Sequence, residues 1–100
     1  MLCQFSIFPL GKEKGLHEEV AHIVKIIEDS GLSFKFGPMS TVVEGEWQDI
    51  MSVINKCREY LHQKYDRIYI NISIDDRKNA VNRINGKVKE VLEFKERNLS

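Results

Sequence analysis

The sequence has few of the features that would place it quickly in a functional class. It contains only two cysteines, Cys3 and Cys57, and only two prolines, Pro9 and Pro38. The cysteines lie far apart and fit no metal-ligand spacing, so we interpret both as reduced thiols. Basic and acidic side chains number 15 each. Without a basic excess, we expect no nucleic-acid partner and no binding to an anionic membrane.

Long apolar runs are also absent, and none approaches the length needed to span a bilayer. The N-terminal residues show no signal-peptide pattern, so we expect a cytoplasmic protein. The 100 residues fit one domain, residues 1–100. A core of this size is adequate but marginal, and oligomerisation would add to its stability.

Motifs for catalysis and metal binding are missing as well. The sequence has no glycine-rich phosphate loop and no Gly-x-Ser-x-Gly nucleophile elbow. Asp75 and Asp76 are adjacent, so on a strand they point to opposite faces and do not form a carboxylate pair. We expect Asp75 to brace the following turn through Arg77. The sequence thus predicts a protein that is not an enzyme, with no catalytic residue and no metal site.

Four segments have the composition of strands. Leu2–Phe8 alternates apolar and polar residues, and Arg67–Asp75 does so most clearly, with every second residue an isoleucine. Ser33–Phe36 and Thr41–Gly45 are separated by a turn that contains glycine and proline, so they predict a hairpin-like pair.

Three segments show helical spacing of apolar residues. We place Glu19 on the polar side of the first helix, and we expect Asn79 or Asn82 to cap the third helix. The three apolar stripes are Leu16, Val20, Ile23, Val24 and Ile27; then Trp47, Ile50, Met51, Ile54, Cys57 and Leu61; and finally Val81, Ile84, Val88, Val91 and Leu92.

The order of these elements is β-α-β-β-α-β followed by an additional C-terminal helix. This order is typical of the α+β ferredoxin-like sandwich, in which two helices cover one face of a four-stranded antiparallel sheet. The expected strand order is fourth, first, third, second. The third helix needs some further surface to cover.

The sheet face away from the two helices should be polar. It would carry the side chains of Gln4, Ser6, Glu44, Tyr69, Asn71, Ser73 and Asp75. One interpretation is a solvated sheet face, which antiparallel sheets often have. The other is a subunit interface that encloses a polar cavity for a small ligand.

Three segments together resemble a known family. They are Phe5–Gly11 (FSIFPLG), Gly37–Glu46 (GPMSTVVEGE) and Ile72–Arg77 (ISIDDR), the last followed by Lys87-Val88. The pattern is similar to the small single-domain thiamine-binding proteins of the YkoF-like superfamily. The resemblance covers nearly the whole chain, and the Gly-Pro-Met-x-Thr turn before Glu-Gly-Glu is its most specific part.

The resemblance implies a ferredoxin-like protomer that pairs its sheets into dimers, which assemble into a homotetramer. It also implies binding of thiamine or its hydroxymethylpyrimidine moiety at a subunit interface, without catalysis and without a cofactor beyond that ligand. A role in thiamine salvage, transport or sensing would follow.

Side-chain chemistry selects candidate ligand-binding residues. Glu44 would accept hydrogen bonds from the pyrimidine edge or offset the thiazolium charge; alternatively it braces Lys35 or Arg77. Hydroxyl and amide groups would orient the ring, and aromatic or thioether side chains, with Phe36 as a further option, would stack on it. The predicted ligand-binding set is Ser6, Phe8, Met39, Thr41, Glu44, Asn71 and Ser73.

Two other functions remain open from the sequence. One is a structural or regulatory module that uses its sheet face only to oligomerise, with no small ligand. The other is an enzyme for an anionic substrate, which would need a base and a cation in one cleft. This fold hosts many functions, so the fold alone does not choose among the three.

Overall fold

The computed structural model describes residues 1–11 and 15–99, and its elements follow the predicted order. The strands pair in the order β2-β3-β1-β4, and every pair is antiparallel. This confirms the predicted α+β ferredoxin-like fold and its strand order. The elements are β1 (Leu2–Pro9), α1 (Leu16–Asp29), β2 (Ser33–Phe36), β3 (Thr41–Glu44), α2 (Trp47–His62), β4 (Ile68–Asp75) and α3 (Arg83–Asn98).

The central strand β1 fixes which residues share a face of the sheet. Phe5 lies opposite Thr41 of β3 on one side and Ile72 of β4 on the other. Because side chains alternate along a strand, this row and every second row from it face the helices. The rows between them form the open face, where Gln4 lies beside Ser73, Ser6 beside Asn71, and Phe8 beside Tyr69. The seven residues predicted for this face all lie on it, but Leu2, Val42 and Phe8 lie among them, so the face is only partly polar.

The core lies between α1, α2 and the inner face of β1 and β3. Both cysteines are buried in it as free thiols. Burial raises the pKa of the Cys57 thiol to about 11 and also raises that of Cys3. Both thiols are therefore neutral near pH 7 and poorly nucleophilic. The buried apolar residues are Cys3, Phe5, Ile23, Ile27, Val43, Ile50, Val53, Ile54, Cys57 and Leu61.

The helix layer differs from the prediction at two positions. Trp47 was placed in the apolar stripe of α2, but it lies in the first turn and is 55% exposed. Glu19 was placed on the polar side of α1, but it is buried. Its carboxylate faces the end of α2, where Lys64 Nζ lies 3.5 Å from Glu19 Oε1. This ion pair offsets the cost of removing the carboxylate from water.

The outer strand β4 is only partly covered. Its isoleucines point to the helix side as predicted, yet Ile72 and Ile74 remain more than one third exposed. β4 is also an edge strand, so the side away from β1 carries backbone groups available to another strand.

Helix α3 lies against β2 and β3 and has no buried residue. The predicted side-chain cap is wrong, because Asn82 precedes the helix in a left-handed conformation and makes no side-chain capping bond. The predicted partner of Asp75 is also wrong. Its carboxylate accepts a hydrogen bond from Arg83 Nη2 at 2.8 Å and pairs with Lys87 Nζ at 3.4 Å, rather than with Arg77. The Arg83 hydrogen bond lowers the pKa of Asp75.

Candidate functional site

A cleft opens where the pairing of β1 with β3 ends. The last matched pair is Phe5 and Thr41, while β1 continues to Pro9. Beyond that pair the β2–β3 turn diverges from β1, and α1 closes the space from the helix side. The cleft has a volume of about 260 Å³. Its polar lining residues are Ser6, Ser40 and Thr41, and its apolar walls come from β1, α1 and the turn. Thr41 lies in a row that faces the helices, whereas Ser6 lies in a row of the open face.

The turn that forms one wall is held in a defined shape. Gly37 N–H donates to the carbonyl oxygen of Ser40 at 3.0 Å. A Cβ added at Gly37 would lie 2.9 Å from the same oxygen, so any other residue would push the turn open. The Gln4 side-chain amide also donates to Ser40 Oγ at 2.7 Å, which ties the turn to β1. The Gly-Pro-Met turn thus sets the width of the cleft.

Aromatic and thioether groups surround the cleft mouth. Phe8 is partly exposed and packs its ring against Tyr69, with 5.6 Å between the ring centroids. Phe36 is half exposed and Met39 is 89% exposed. Thr41, by contrast, is 7% exposed and also belongs to the lining of the cleft. Among the described residues that line the cleft, none carries a charge.

The predicted ligand-binding residues fall into two groups. Ser6, Phe8, Met39 and Thr41 line the cleft. Glu44, Asn71 and Ser73 lie outside this lining. Because the cleft lies at one end of β1 and Glu44 pairs with Leu2 at the other, the seven residues do not converge on one position within a single chain.

Two of the remaining residues lie on the open sheet face. Asn71 is the strand partner of Ser6, so it lies beside the cleft. Ser73 is the strand partner of Gln4 and borders a separate depression of about 270 Å³ with Asp75 and Lys87. Both are exposed and available to a ligand or to a second subunit.

Glu44 is engaged with the backbone of α3. Its two carboxylate oxygens accept hydrogen bonds from Arg83 N–H at 2.9 and 2.8 Å, and Oε1 also accepts one from Ile84 N–H at 3.2 Å. The carboxylate thus caps the positive end of the helix, a favourable position for an anion. The alternative interpretation, in which Glu44 braces another part of the chain, is supported, although its partner is the helix end rather than Lys35 or Arg77.

Sequence reasoning missed part of the cleft. Leu16, Val20 and Val24 of α1 were assigned to the core stripe, yet they are only partly buried and line the cleft. A cleft wall and a packed core both require apolar residues at helical spacing, so the pattern contains no signal that separates them. Phe36 was considered only as an alternative stacking group, and it also lines the cleft.

Within residues 1–11 and 15–99, His, Cys, Asp and Glu side chains form no group of three or more that could hold a metal ion. In the same ranges, no helix combines the length and the apolar character required to cross a membrane.

Comparison with known proteins assigns the chain to a family. A family model described as "Thiamine-binding protein" matches residues 3–92. The UPF0045 protein Mb1933 of Mycobacterium bovis is 32% identical over 92 residues, which cover 91% of this chain and 90% of the relative. The UPF0045 protein YqgV of Bacillus subtilis is 31% identical over 96 residues, covering 90% of this chain and 92% of the relative.

Solved structures agree with the fold. The hypothetical protein MJ1052 from Methanocaldococcus jannaschii superposes with a TM-score of 0.82 at 27% identity, covering 92% of this chain and 95% of the other. A Thermotoga maritima protein with a suggested role in thiamine biosynthesis or salvage superposes with a TM-score of 0.78 at 27% identity, covering 90% of this chain and 96% of the other. Fold, turn motif and family model coincide over nearly the whole chain. The chain belongs to the thiamine-binding protein family.

Proposed function

We propose that this protein binds thiamine or its hydroxymethylpyrimidine moiety, without catalysis, in the cleft between β1 and the β2–β3 turn. The observation that carries the proposal is the cleft itself, whose described lining residues carry no charge and supply aromatic rings and hydroxyl groups. The family name and the suggested salvage role of the Thermotoga maritima relative support a ligand of this kind.

The chemistry of the cleft suits a flat, neutral heteroaromatic ring. Phe8 and Phe36 supply ring faces for stacking, and the exposed Met39 supplies a flexible thioether that adapts to a ring edge. Thr41 supplies a buried hydroxyl that donates and accepts one hydrogen bond each, as a ring nitrogen and its exocyclic amine require. Ser6 and the neighbouring Asn71 would bind the hydroxymethyl group or its substituent.

The size of the cleft favours the pyrimidine half of thiamine. Pockets that enclose drug-sized ligands have volumes of about 300–1,000 Å³, whereas this cleft has about 260 Å³. One substituted ring therefore fits, and the cationic thiazolium would extend past Phe8 and Tyr69 towards the open face. We expect hydroxymethylpyrimidine alone to retain much of the affinity of thiamine.

Titration calorimetry with hydroxymethylpyrimidine and thiamine tests this proposal. We expect Thr41→Val, which keeps the shape of the side chain and removes its hydroxyl, to weaken binding about tenfold through the loss of one hydrogen bond. Thr41→Ser retains the hydroxyl and should bind nearly as well as the native protein.

Ser73→Ala is the matched control, because Ser73 lies near the opposite end of the open face and its loss should leave the affinity unchanged. Absence of measurable heat with either ligand at millimolar concentration would contradict ligand binding. Binding that is weakened by Ser73→Ala and not by Thr41→Val would support ligand binding but would place the ligand on the open sheet face near Ser73, outside the cleft.

We also propose that the protein is a homo-oligomer, a tetramer built from sheet-paired dimers. The eight-residue edge of β4, beside the exposed Ile72 and Ile74, favours antiparallel pairing with the same strand of a second copy. The exposed Val91 and Phe94 of α3 provide a second apolar contact. The two contacts together would close a tetramer.

Light scattering at micromolar concentration tests the assembly. We expect Ile72→Lys to prevent the first pairing and give a monomer, because it places a charge in the buried seam. Val91→Lys should give a dimer, because this substitution affects only the second contact. Lys56→Glu, on the exposed face of α2, should leave the oligomeric state unchanged. A monomeric native protein would contradict the proposal.

The exposed apolar surface of α3 also favours the second function considered from the sequence, an oligomeric interaction module with no small ligand. Calorimetry separates the two functions, because the module alone predicts an intact oligomer that gives no heat with either compound.

The free, buried Cys3 and Cys57 are consistent with a reducing compartment, which supports a cytoplasmic location.

A further inference from the structure

The loop between β4 and α3 forms a basic pocket far from the cleft. The pocket has a volume of about 380 Å³, and residues 77–83 together with the first turns of α3 line it. Asp75, at its border, is paired with Leu2 of β1, whereas Phe8 borders the cleft. Six residues of extended strand separate these two ends by about 20 Å. A single small ligand therefore cannot fill both sites of one chain.

The charge of this pocket contrasts with that of the whole chain. The chain has no net charge, yet four cationic side chains and one carboxylate, that of Glu90, line the pocket. Asp75 compensates part of this excess by pairing with Arg83 and Lys87. Arg77 and Lys78 form no ion pair with any described residue. Glu44 and Glu90 also act on Arg83, so the remaining positive charge of the pocket is that of Arg77 and Lys78.

The guanidinium of Arg83 provides a second observation. Its Nη2 donates to Asp75 Oδ2 at 2.8 Å, which fixes the orientation of the side chain. Its Nη1 is buried, and among the described residues it has no hydrogen-bond partner. A buried cationic donor without an acceptor is costly. Because Nη1 itself is not exposed to the pocket, an anion there would interact with this guanidinium through its charge rather than by a hydrogen bond to Nη1. Arginine and lysine held together in this way are typical of phosphate recognition.

The amides at the start of α3 are already occupied. Glu44 accepts the hydrogen bonds of Arg83 N–H and Ile84 N–H. An external anion would therefore be held by side chains and not by the helix end. The remaining cations come from two elements, Arg77 and Lys78 from the loop and Lys87 from the helix. This arrangement suits a compact anion with oxygens on several sides.

We propose that this basic pocket binds the phosphoryl group of a small molecule, either inorganic phosphate or a phosphate ester. It is a second ligand site, independent of the cleft and of the proposed function. Gly86 lies on its wall, and a Cβ added there would meet no atom within 4 Å. A larger side chain at position 86 thus enters the open space of the pocket without a clash.

Gly86 gives a matched pair of variants for the test. Gly86→Glu places a carboxylate in the pocket, and Gly86→Ala changes the same position without charge. Both replace glycine with a better helix former, so neither should lower stability, and thermal unfolding verifies this. The probes are inorganic phosphate, inorganic pyrophosphate and phenyl phosphate, titrated at constant ionic strength and followed by amide chemical shifts.

We expect the native protein and Gly86→Ala to show saturable shifts at residues 77–90, and Gly86→Glu to bind at least tenfold more weakly. Lys56→Glu, which removes a distant surface cation, should bind as the native protein does. Equal affinity for phosphate and phenyl phosphate would identify the free anion as the ligand, and tighter binding of phenyl phosphate would identify an ester. Shifts that do not saturate, or equal binding by Gly86→Glu, would overturn the proposal.

Discussion

Replacing Phe5 with alanine should lower the free energy of unfolding by about 3–5 kcal/mol. Phe5 is 2% exposed and lies in the middle of β1, between Thr41 and Ile72 on the two neighbouring strands. Its ring packs in the core beneath the helices, and the surrounding strands are too constrained to close the cavity that alanine leaves. Domains of this size are stable by only about 5–15 kcal/mol, so a large share of the total would be lost. Urea denaturation, monitored by circular dichroism, measures this loss of unfolding free energy.

Phe94→Ala is the control for this prediction, because it removes the same atoms from a position that is 57% exposed on α3. At a protein concentration low enough to keep the chain monomeric, its effect should stay within about 0.5 kcal/mol. Equal effects at the two positions would mean that Phe5 does not belong to a packed core and that the assignment of the inner sheet face is wrong.

Replacing Glu44 with alanine should release the start of α3. The carboxylate is the acceptor for Arg83 N–H and Ile84 N–H, and loss of a helix cap costs about 1–2 kcal/mol. The effect should be local, because α3 has no buried residue that ties it to the core. Amide hydrogen exchange should show faster exchange throughout α3 and unchanged exchange in α2.

Glu46→Ala provides the comparison for Glu44. Glu46 precedes α2 but makes no side-chain capping bond, so its removal should leave both helices as they are. Glu44→Gln should show an exchange rate in α3 between those of the native protein and Glu44→Ala, because an amide keeps one acceptor oxygen but loses the charge. If Glu44→Ala left the exchange of α3 unchanged, the carboxylate would not be what holds the helix.

The fold was predictable because the sheet has two chemically different faces. In β4 every second residue is an isoleucine, and a shift of one residue would exchange these with Tyr69, Asn71 and Ser73. The order of elements then leaves few possible arrangements. The predicted bounds differ from the observed ones by one residue at the ends of β1 and β3 and at the start of β4.

The candidate site was less predictable, because its position depends on long-range geometry. The cleft exists where the β1–β3 pairing stops, and no local pattern marks that point. Glu44 illustrates the same limit. Its strand position was predicted, but its partner lies 39 residues away, at the start of a helix whose location on the sheet the sequence does not specify. Asp75 and Arg83 were missed as a pair for the same reason.

The attachment of α3 has a consequence for cooperativity. The sandwich from β1 to β4 contains the whole hydrophobic core, whereas α3 is held by the Glu44 cap and by the ion pairs of Asp75. Such a segment opens with a lower free energy than the rest of the molecule, so the chain consists of two folding units of unequal stability. In the proposed tetramer α3 would be buried between copies, and dilution would then loosen this helix before it affected the core.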